Sequence, residues 1–171
     1  MGLCKKDTLH LDKYRWHLNA TNPTNERGNL AQVDISSDAL ATGLAKWGCS
    51  GPSLDRVPTN GMENSRDFWR GAVDGDGWIS ELRTTMKGKT YVYPTLGLCG
   101  GKGICEGLRQ FLIENLGDYF AKCKVMDKGT YYQWETRGAK AKEAIKLLYE
   151  NAPYHISLDR KQRRAEYWLW Q

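Results

Sequence analysis

The chain is poor in the features that would place it outside the ordinary globular class. It has only 5 prolines in 171 residues and no collagen-like glycine period, so a disordered or fibrous chain is not expected. No apolar run approaches the roughly 20 residues needed to span a bilayer, and Met1 to Asp12 lacks the apolar core of a signal peptide. Neither a membrane protein nor a secreted one is expected. Histidine is scarce, and His10, His17 and His155 have no metal-ligand spacing. The five cysteines, Cys4, Cys49, Cys99, Cys105 and Cys123, are odd in number and scattered, with no C-x-x-C pair. They read as reduced structural thiols, which suits the cytoplasm or an organellar matrix.

What is present points to nucleic acid. There are 25 Lys and Arg residues against 20 Asp and Glu, a formal charge of +5, with 7 Trp and 9 Tyr. Cations and stacking rings together suit a polyanion of bases. The surplus is not spread evenly. Met1 to Asn60 holds 7 basic and 6 acidic residues, so a surplus of 4 lies after that point. Arg83 to Cys105 carries Arg83, Lys87, Lys89 and Lys102 with no carboxylate. Tyr119 to Lys142 carries 6 basic residues against Asp127 and Glu135. Each basic stretch reads as a pair of strands and the acids gather on helices, the pattern of a sheet laid on phosphates.

Periodicity predicts the elements. Lys13–Ala20 and Leu30–Ser36 have strand character around a turn-rich segment and should form a hairpin. Ser37 or Asp38 caps a short helix through Leu40, Leu44 and Trp47, stopped by Gly48. A linker, CSGPSLDRVPTNG, follows. Asn64 or Ser65 caps a helix carrying Phe68, Trp69, Ala72 and Val73. Strands Trp78–Met86 and Thr90–Leu98 flank a Lys87-Gly88-Lys89 turn, and Gly103–Leu116 is an amphipathic helix stopped by Gly117. Strands Tyr119–Met126 and Thr130–Thr136 enclose Asp127-Lys128-Gly129, and Ala139–Tyr149 is a third helix before a basic tail. Trp168 and Trp170 in that tail read as a packed strand or helix end rather than a base-stacking platform.

The chemistry concentrates in WRGAVDGDG, Trp69 to Gly77. Gly71 and Gly75 stand four apart on one helix face, where a second helix could approach closely. Asp74 and Asp76 sit at the C-terminal end of that helix, where the macrodipole is already negative. Two acids there invite a cation, and oxygen ligands beside a basic sheet suit Mg²⁺. An EF-hand loop starting at Asp74 fails, because its Gly position falls on Ile79 and its final Glu position on Thr85. A phosphate loop at Gly97–Gly103 also fails, since its first Gly would fall on Leu96 and its last position is Gly103.

With Asp67-Phe68 before it and Trp78-Ile79 after it, WRGAVDGDG closely resembles the signature of the LAGLIDADG homing endonucleases, often written F-x-R-G-x-x-D-G-D-G. The resemblance extends over the αββαββα order from about Ser65 to Gln171 and over Leu158-Asp159-Arg160-Lys161. It implies an α+β half-domain at residues 61–171 with a saddle-shaped antiparallel sheet lying in the DNA major groove. Residues 1–60 resemble the end of a preceding half-domain, a partial or degenerate ββα segment plus linker, with no second motif.

The resemblance further implies that Asp76 is a metal ligand assisted by the Gly75 carbonyl, and that Asp74 helps to fix the helix end. Phe68, Gly71, Ala72, Gly75 and Asp74 would form the interface between motif helices, and Lys161 or Arg160 would be the catalytic cation. The expected metal is Mg²⁺, with Mn²⁺ as a substitute. Expected DNA contacts are Ser80, Arg83, Thr85, Lys87, Tyr91, Tyr93, Lys102, Lys122, Lys124, Gln133 and Arg137. Strict alternation would turn Leu82 outward, so a bulge near Glu81 is expected to bring Arg83 and Thr85 to the DNA. The expected function is a site-specific double-strand DNA endonuclease, paired as a homodimer or with a partner half-domain. The alternative is a DNA binder that no longer cuts, or an intron RNA maturase of the same fold.

Overall fold

The computed structural model describes residues 2–49, 51–52 and 54–171; Ser50 and Ser53 of the linker lie outside them. The described residues form two antiparallel sheets. In the smaller, β1 (Gly2–Cys4) and β2 (Asn25–Arg27) flank β3 (Leu30–Gln32). Leu11 of helix α1 (Thr8–His17) is buried against Ala31 and Val33. Helix α2 (Asp38–Lys46) follows, with Ser37 Oγ accepting from the Leu40 N–H at 3.2 Å, as its expected cap.

The expected strand Lys13–Ala20 is not formed, because Lys13 to His17 belongs to α1 and the hairpin begins at Asn25. Alternation of Lys13, Arg15 and His17 with Tyr14, Trp16 and Leu18 imitates a strand, but no residue from Thr8 to His17 breaks a helix. Tertiary contacts decide the outcome. Leu11 anchors one side, and Lys13 Nζ donates to the carbonyls of Tyr154 at 2.6 Å and Ser157 at 3.1 Å and to the Asp159 carboxylate.

The larger sheet has the order β4-β5-β7-β6, from β4 (Gly77–Met86), β5 (Lys89–Gly100), β6 (Met126–Asp127) and β7 (Tyr132–Arg137). Lys87 and Gly88 both take positive φ, 50° and 74°, and close the β4–β5 hairpin as a two-residue turn whose twist matches the strands. One face of the sheet is covered by α3 (Arg66–Asp76), α4 (Lys102–Leu116) and α5 (Ala139–Tyr149). Trp69 and Val73, Leu108 and Leu112, and Ile145 and Leu148 meet Ile79, Leu96, Leu98 and Trp134 in one core. Each large apolar side chain so buried contributes roughly 1.5–3 kcal/mol. Gly107 is required for this packing, since a Cβ there would stand 2.6 Å from the Trp69 ring.

Two expectations fail on this sheet. Tyr119–Met126 is not a strand: residues Asp118–Lys122 form a 3₁₀ turn and only Met126–Asp127 pairs with β7. Phe120 is drawn into the core, and the carbonyls of Tyr119 and Ala121 are taken by Lys140 at 2.7 Å and Arg109 at 2.8 Å rather than by a neighbouring strand. The basic tail is also more than a tail. It forms α6 (Asp159–Leu169), which buries Lys161, Gln162, Ala165 and Trp168. Arg164 of α6 donates to the Ile79 carbonyl at 3.1 Å and so occupies part of the free edge of β4. Trp168 packs into the core as expected, whereas Trp170 at the helix end is exposed.

Candidate metal centre and nucleic-acid interface

Helix α3 starts where Ser65 Oγ accepts from the Phe68 N–H at 3.2 Å. One side of the helix carries Trp69, Arg70, Val73 and Asp74, all buried. The other carries Phe68, Gly71, Ala72 and Gly75 at helical spacing, and Gly71 and Gly75 are exposed with nothing within 4 Å of where a Cβ would stand. Of the motif-helix face expected from the sequence, Gly71 and Gly75 are therefore open in the single chain, while Phe68 and Ala72 are half-buried. Asp76, exposed, lies at the end of this side, beside a cavity of about 390 Å³ that Phe68 and Ala72 share with Cys49, Arg56 and Cys99.

Asp74, expected at the interface between motif helices, lies instead on the opposite, buried side of α3. Its carboxylate accepts from the Tyr149 hydroxyl at 2.7 Å and from the Leu158 N–H at 2.9 Å, tying α3 to α5 and to the start of α6. Burial raises its pKa, against the two hydrogen bonds and the Lys161 charge. Burial, with Asp74 beside it, pushes the Tyr149 hydroxyl well above its ordinary value. Burial lowers the pKa of His10, which approaches this cluster from α1.

Lys161 is 1% exposed. Its ammonium donates to the carbonyls of Val73, Asp74 at 2.7 Å and Gly77 at 2.7 Å. The Val73 carbonyl also accepts from the Gly77 N–H that closes α3, and Gly77 is the first residue of β4, so Lys161 ties the last turn of the helix to the strand that follows it. A cation there also opposes the negative end of the macrodipole. Burial first, and the Arg160 guanidinium second, push Lys161 down to about 8, while Asp74, Asp7 and Asp76 pull the other way. Arg160 is engaged as well, with Nε 3.0 Å from both carboxylate oxygens of Asp7. Of the two residues expected as the catalytic cation, Lys161 caps the motif helix and Arg160 pairs with the N-terminal segment in the single chain.

The register of β4 with β5 runs unbroken from Gly77 opposite Leu98 to Met86 opposite Lys89, so the expected bulge near Glu81 is absent. Ile79 is buried under the helices, and Arg83 and Thr85 share its face, with Arg83 held to Glu81 at 2.7 Å. They do not face outward with Ser80. The open face instead presents Trp78, Ser80, Leu82, Thr84 and Met86 from β4, and Tyr91, Tyr93 and Thr95 from β5. Ser80 and Thr95 meet across it with hydroxyls 2.5 Å apart. From β7 it presents Gln133, Glu135 and Arg137, and Arg137 pairs with Glu135 at 2.5 Å. Of the expected contacts, then, Ser80, Tyr91, Tyr93, Gln133 and Arg137 share the open face. Lys87 stands in the hairpin turn and Lys102 at the first residue of α4. Lys122 and Lys124 lie in and after the 3₁₀ turn, outside the strands.

Among the described residues no group of three or more His, Cys, Asp and Glu could hold a metal ion. One chain offers a single exposed carboxylate at Asp76. That suits an ion such as Mg²⁺ only as part of a shared set, because Mg²⁺ takes one or two carboxylates and fills its shell with water and phosphate oxygens.

This arrangement is a motif helix beside an antiparallel sheet with one uncovered face. It is the fold of the LAGLIDADG homing endonucleases. The chain is similar to the LAGLIDADG meganuclease I-AabMI bound to uncleaved DNA, with a TM-score of 0.67 and 13% identity over 98% of this chain and 78% of that one. It is also similar to the LAGLIDADG homing endonuclease I-SmaMI bound to cleaved DNA, with a TM-score of 0.61 and 11% identity over 98% and 75%. A third similar structure, I-SmaMI bound to uncleaved DNA with calcium ions, has a TM-score of 0.51 and 10% identity over 100% and 87%. No family model and no curated protein matches the sequence.

Proposed function

We propose that the chain is one functional half of a site-specific DNA endonuclease that cuts both strands in the presence of Mg²⁺ or Mn²⁺. The observation that carries this reading is the placement of Asp76. It is exposed at the end of a helix face built from Phe68, Gly71, Ala72 and Gly75, directly before β4 and beside Cys99 of β5, at the base of the sheet with the uncovered face. A second motif helix, from another copy or from a partner half-domain, would bring a second carboxylate to that point. The bound ion would supply an activated water and stabilise charge on the phosphate. Asp76 would hold it, with the Gly75 carbonyl, which is not among those taken by Lys161, available beside it. Lys161 would act as a positioning residue by fixing the helix end that presents Asp76. Phosphate contacts from Lys87, Lys89 and Lys102 would supply most of the affinity.

A DNA-binding protein that does not cut is the second reading, and the single carboxylate per chain favours it wherever no partner helix is present. Incubation of the full chain with a duplex library in Mg²⁺, followed by sequencing of the ends, tests the first reading. Cutting that Asp76→Asn abolishes, with DNA retention in Ca²⁺ preserved, supports it. Cutting that persists in Asp76→Asn overturns the assignment. Binding without ends from either protein leaves the second reading.

A further inference from the structure

The open face of the β4–β5 hairpin divides into two chemically different parts. Toward β7 it carries Gln133, Glu135 and Arg137, side chains that read bases through hydrogen bonds. Beyond the Ser80–Thr95 pair it carries Leu82 opposite Tyr93, Thr84 opposite Tyr91, and Met86 opposite Lys89. Tyr91 and Tyr93 stack with ring centroids 6.3 Å apart and planes 9° from parallel. They are 41% and 37% exposed, and Met86 is 58% exposed. No carboxylate lies on this part of the face, since Glu81 is turned to the other side and held by Arg83. Lys87 and Lys89 stand at the tip.

An uncovered apolar patch framed by lysines marks a binding surface. In the major groove of B-DNA the apolar group on a base edge is the C5 methyl of thymine, whereas the other edge groups are hydrogen-bond donors and acceptors. The lysines suit the flanking phosphates. An RNA helix has a major groove too deep and narrow for side chains, and uracil has no methyl to offer.

Resting on the DNA reading above, we propose that Leu82, Thr84, Met86, Tyr91 and Tyr93 are specificity-determining residues. They read a thymine-rich segment of the site through its methyl groups. From Leu82 to Met86 the strand advances about 13 Å, which spans about four base pairs. The site should therefore be A·T-rich where the hairpin tip lies and mixed where Gln133, Glu135 and Arg137 lie.

The test is selection by the full chain, in Ca²⁺, from a randomised duplex library, followed by replacement of selected thymines by deoxyuridine. Deoxyuridine keeps every hydrogen-bonding group and removes only the methyl. The expected result is a thymine-rich block of about four positions. Affinity should fall about three- to four-fold for each methyl removed there, and hardly at all for thymines elsewhere. In Tyr91→Ser/Tyr93→Ser, two exposed positions where the fold is not at risk, the difference between thymine and uracil should shrink within the block. Equal affinity of the two duplexes overturns the proposal while leaving the DNA reading intact. Retention of no duplex at all overturns both. Self-association through this face, relieved by the tyrosine substitutions, would assign it to a second copy and also overturn the proposal.

Discussion

The Lys161 ammonium lies 2.7 Å from the carbonyl oxygen of Asp74, while the carboxylate of the same aspartate turns away to Tyr149 and Leu158. The end of the motif helix is thus held on both its main chain and its side chain by groups from α5 and α6. Asp76, two residues on, is left exposed. A side chain carried at a helix end keeps its direction only if that end does not fray, and this clamp supplies the restraint.

Lys161→Met should therefore remove a buried cation from three carbonyls at once and destabilise the chain by about 3 kcal/mol, measured by urea unfolding at pH 7. The pH dependence has a definite sign. With Lys161 at about 8 when folded and 10.5 as its ordinary value, the unfolded chain binds more protons at this position between those two values. Its contribution to stability then rises with pH from about 8 to about 10.5. The stability difference between wild type and Lys161→Met should follow that rise. A difference that is flat across the window would contradict the burial of a charged group.

Tyr149→Phe isolates the other half of the clamp. It leaves the Asp74 carboxylate with the Leu158 N–H and no phenol, which should cost about 1–3 kcal/mol of stability. Because Tyr149 is buried away from the sheet face, the salt dependence of DNA binding should not change. A changed slope of log affinity against log salt would show that this cluster touches the phosphate-binding surface.

The cysteines offer an independent test of the core. Burial pushes the Cys105 thiol up to about 11, and it lies against the Leu98 and Tyr132 carbonyls, whereas Cys4 is exposed. Iodoacetamide at pH 8.5 should label Cys4 within minutes and leave Cys105 unmodified until the chain is unfolded, because the thiolate is the nucleophile. Mass spectrometry after graded exposure reads this directly. Early labelling of Cys105 would mean that α4 does not seal the sheet.

Much of the second half was legible from the sequence because its signals are strongly periodic and sharply punctuated. Phe68, Trp69, Ala72 and Val73 mark α3, Ser65 caps it, Lys87-Gly88 turns the hairpin, and Ala139–Tyr149 is the third helix within the expected bounds. Three features were not legible, for different physical reasons. Lys161 stands out in the sequence as a candidate catalytic cation, but its role as a cap is invisible there, because only a fold that brings α6 across the end of α3 creates it. Lys13 to Leu18 alternates like a strand, but long-range contacts of Lys13 and Leu11 hold most of it as a helix. Leu82 was the most instructive. Taking an outward leucine as an error required a bulge, and the bulge placed Arg83 and Thr85 on the wrong face. The unbroken register puts Leu82 beside Tyr93 on the open face, where a local rule is broken at a candidate functional surface rather than at a defect.

The glycines of α3 give the sharpest separation of folding from assembly. A Cβ at Gly71 or Gly75 would meet nothing within 4 Å in the single chain, whereas a Cβ at Gly97 would fall 2.1 Å from the Trp78 ring and one at Gly101 would fall 1.9 Å from the Leu54 carbonyl oxygen. Conversion of Gly71 to Leu should therefore leave the single chain folded. Replacing a helix-interior glycine with a good helix former should even raise its stability, by up to about 1 kcal/mol. If a second motif helix packs on this face, the added side chain would hold the two backbones apart and pull the two Asp76 carboxylates away from a common point. Gly71→Leu should then melt at or above the wild-type temperature, sediment as a monomer on DNA and produce no cuts in Mg²⁺. Gly97→Ala and Gly101→Ala should instead lose stability. Wild-type levels of cutting by a folded Gly71→Leu chain would mean that the Gly71–Gly75 face meets no partner during cleavage, and the paired arrangement would have to be abandoned.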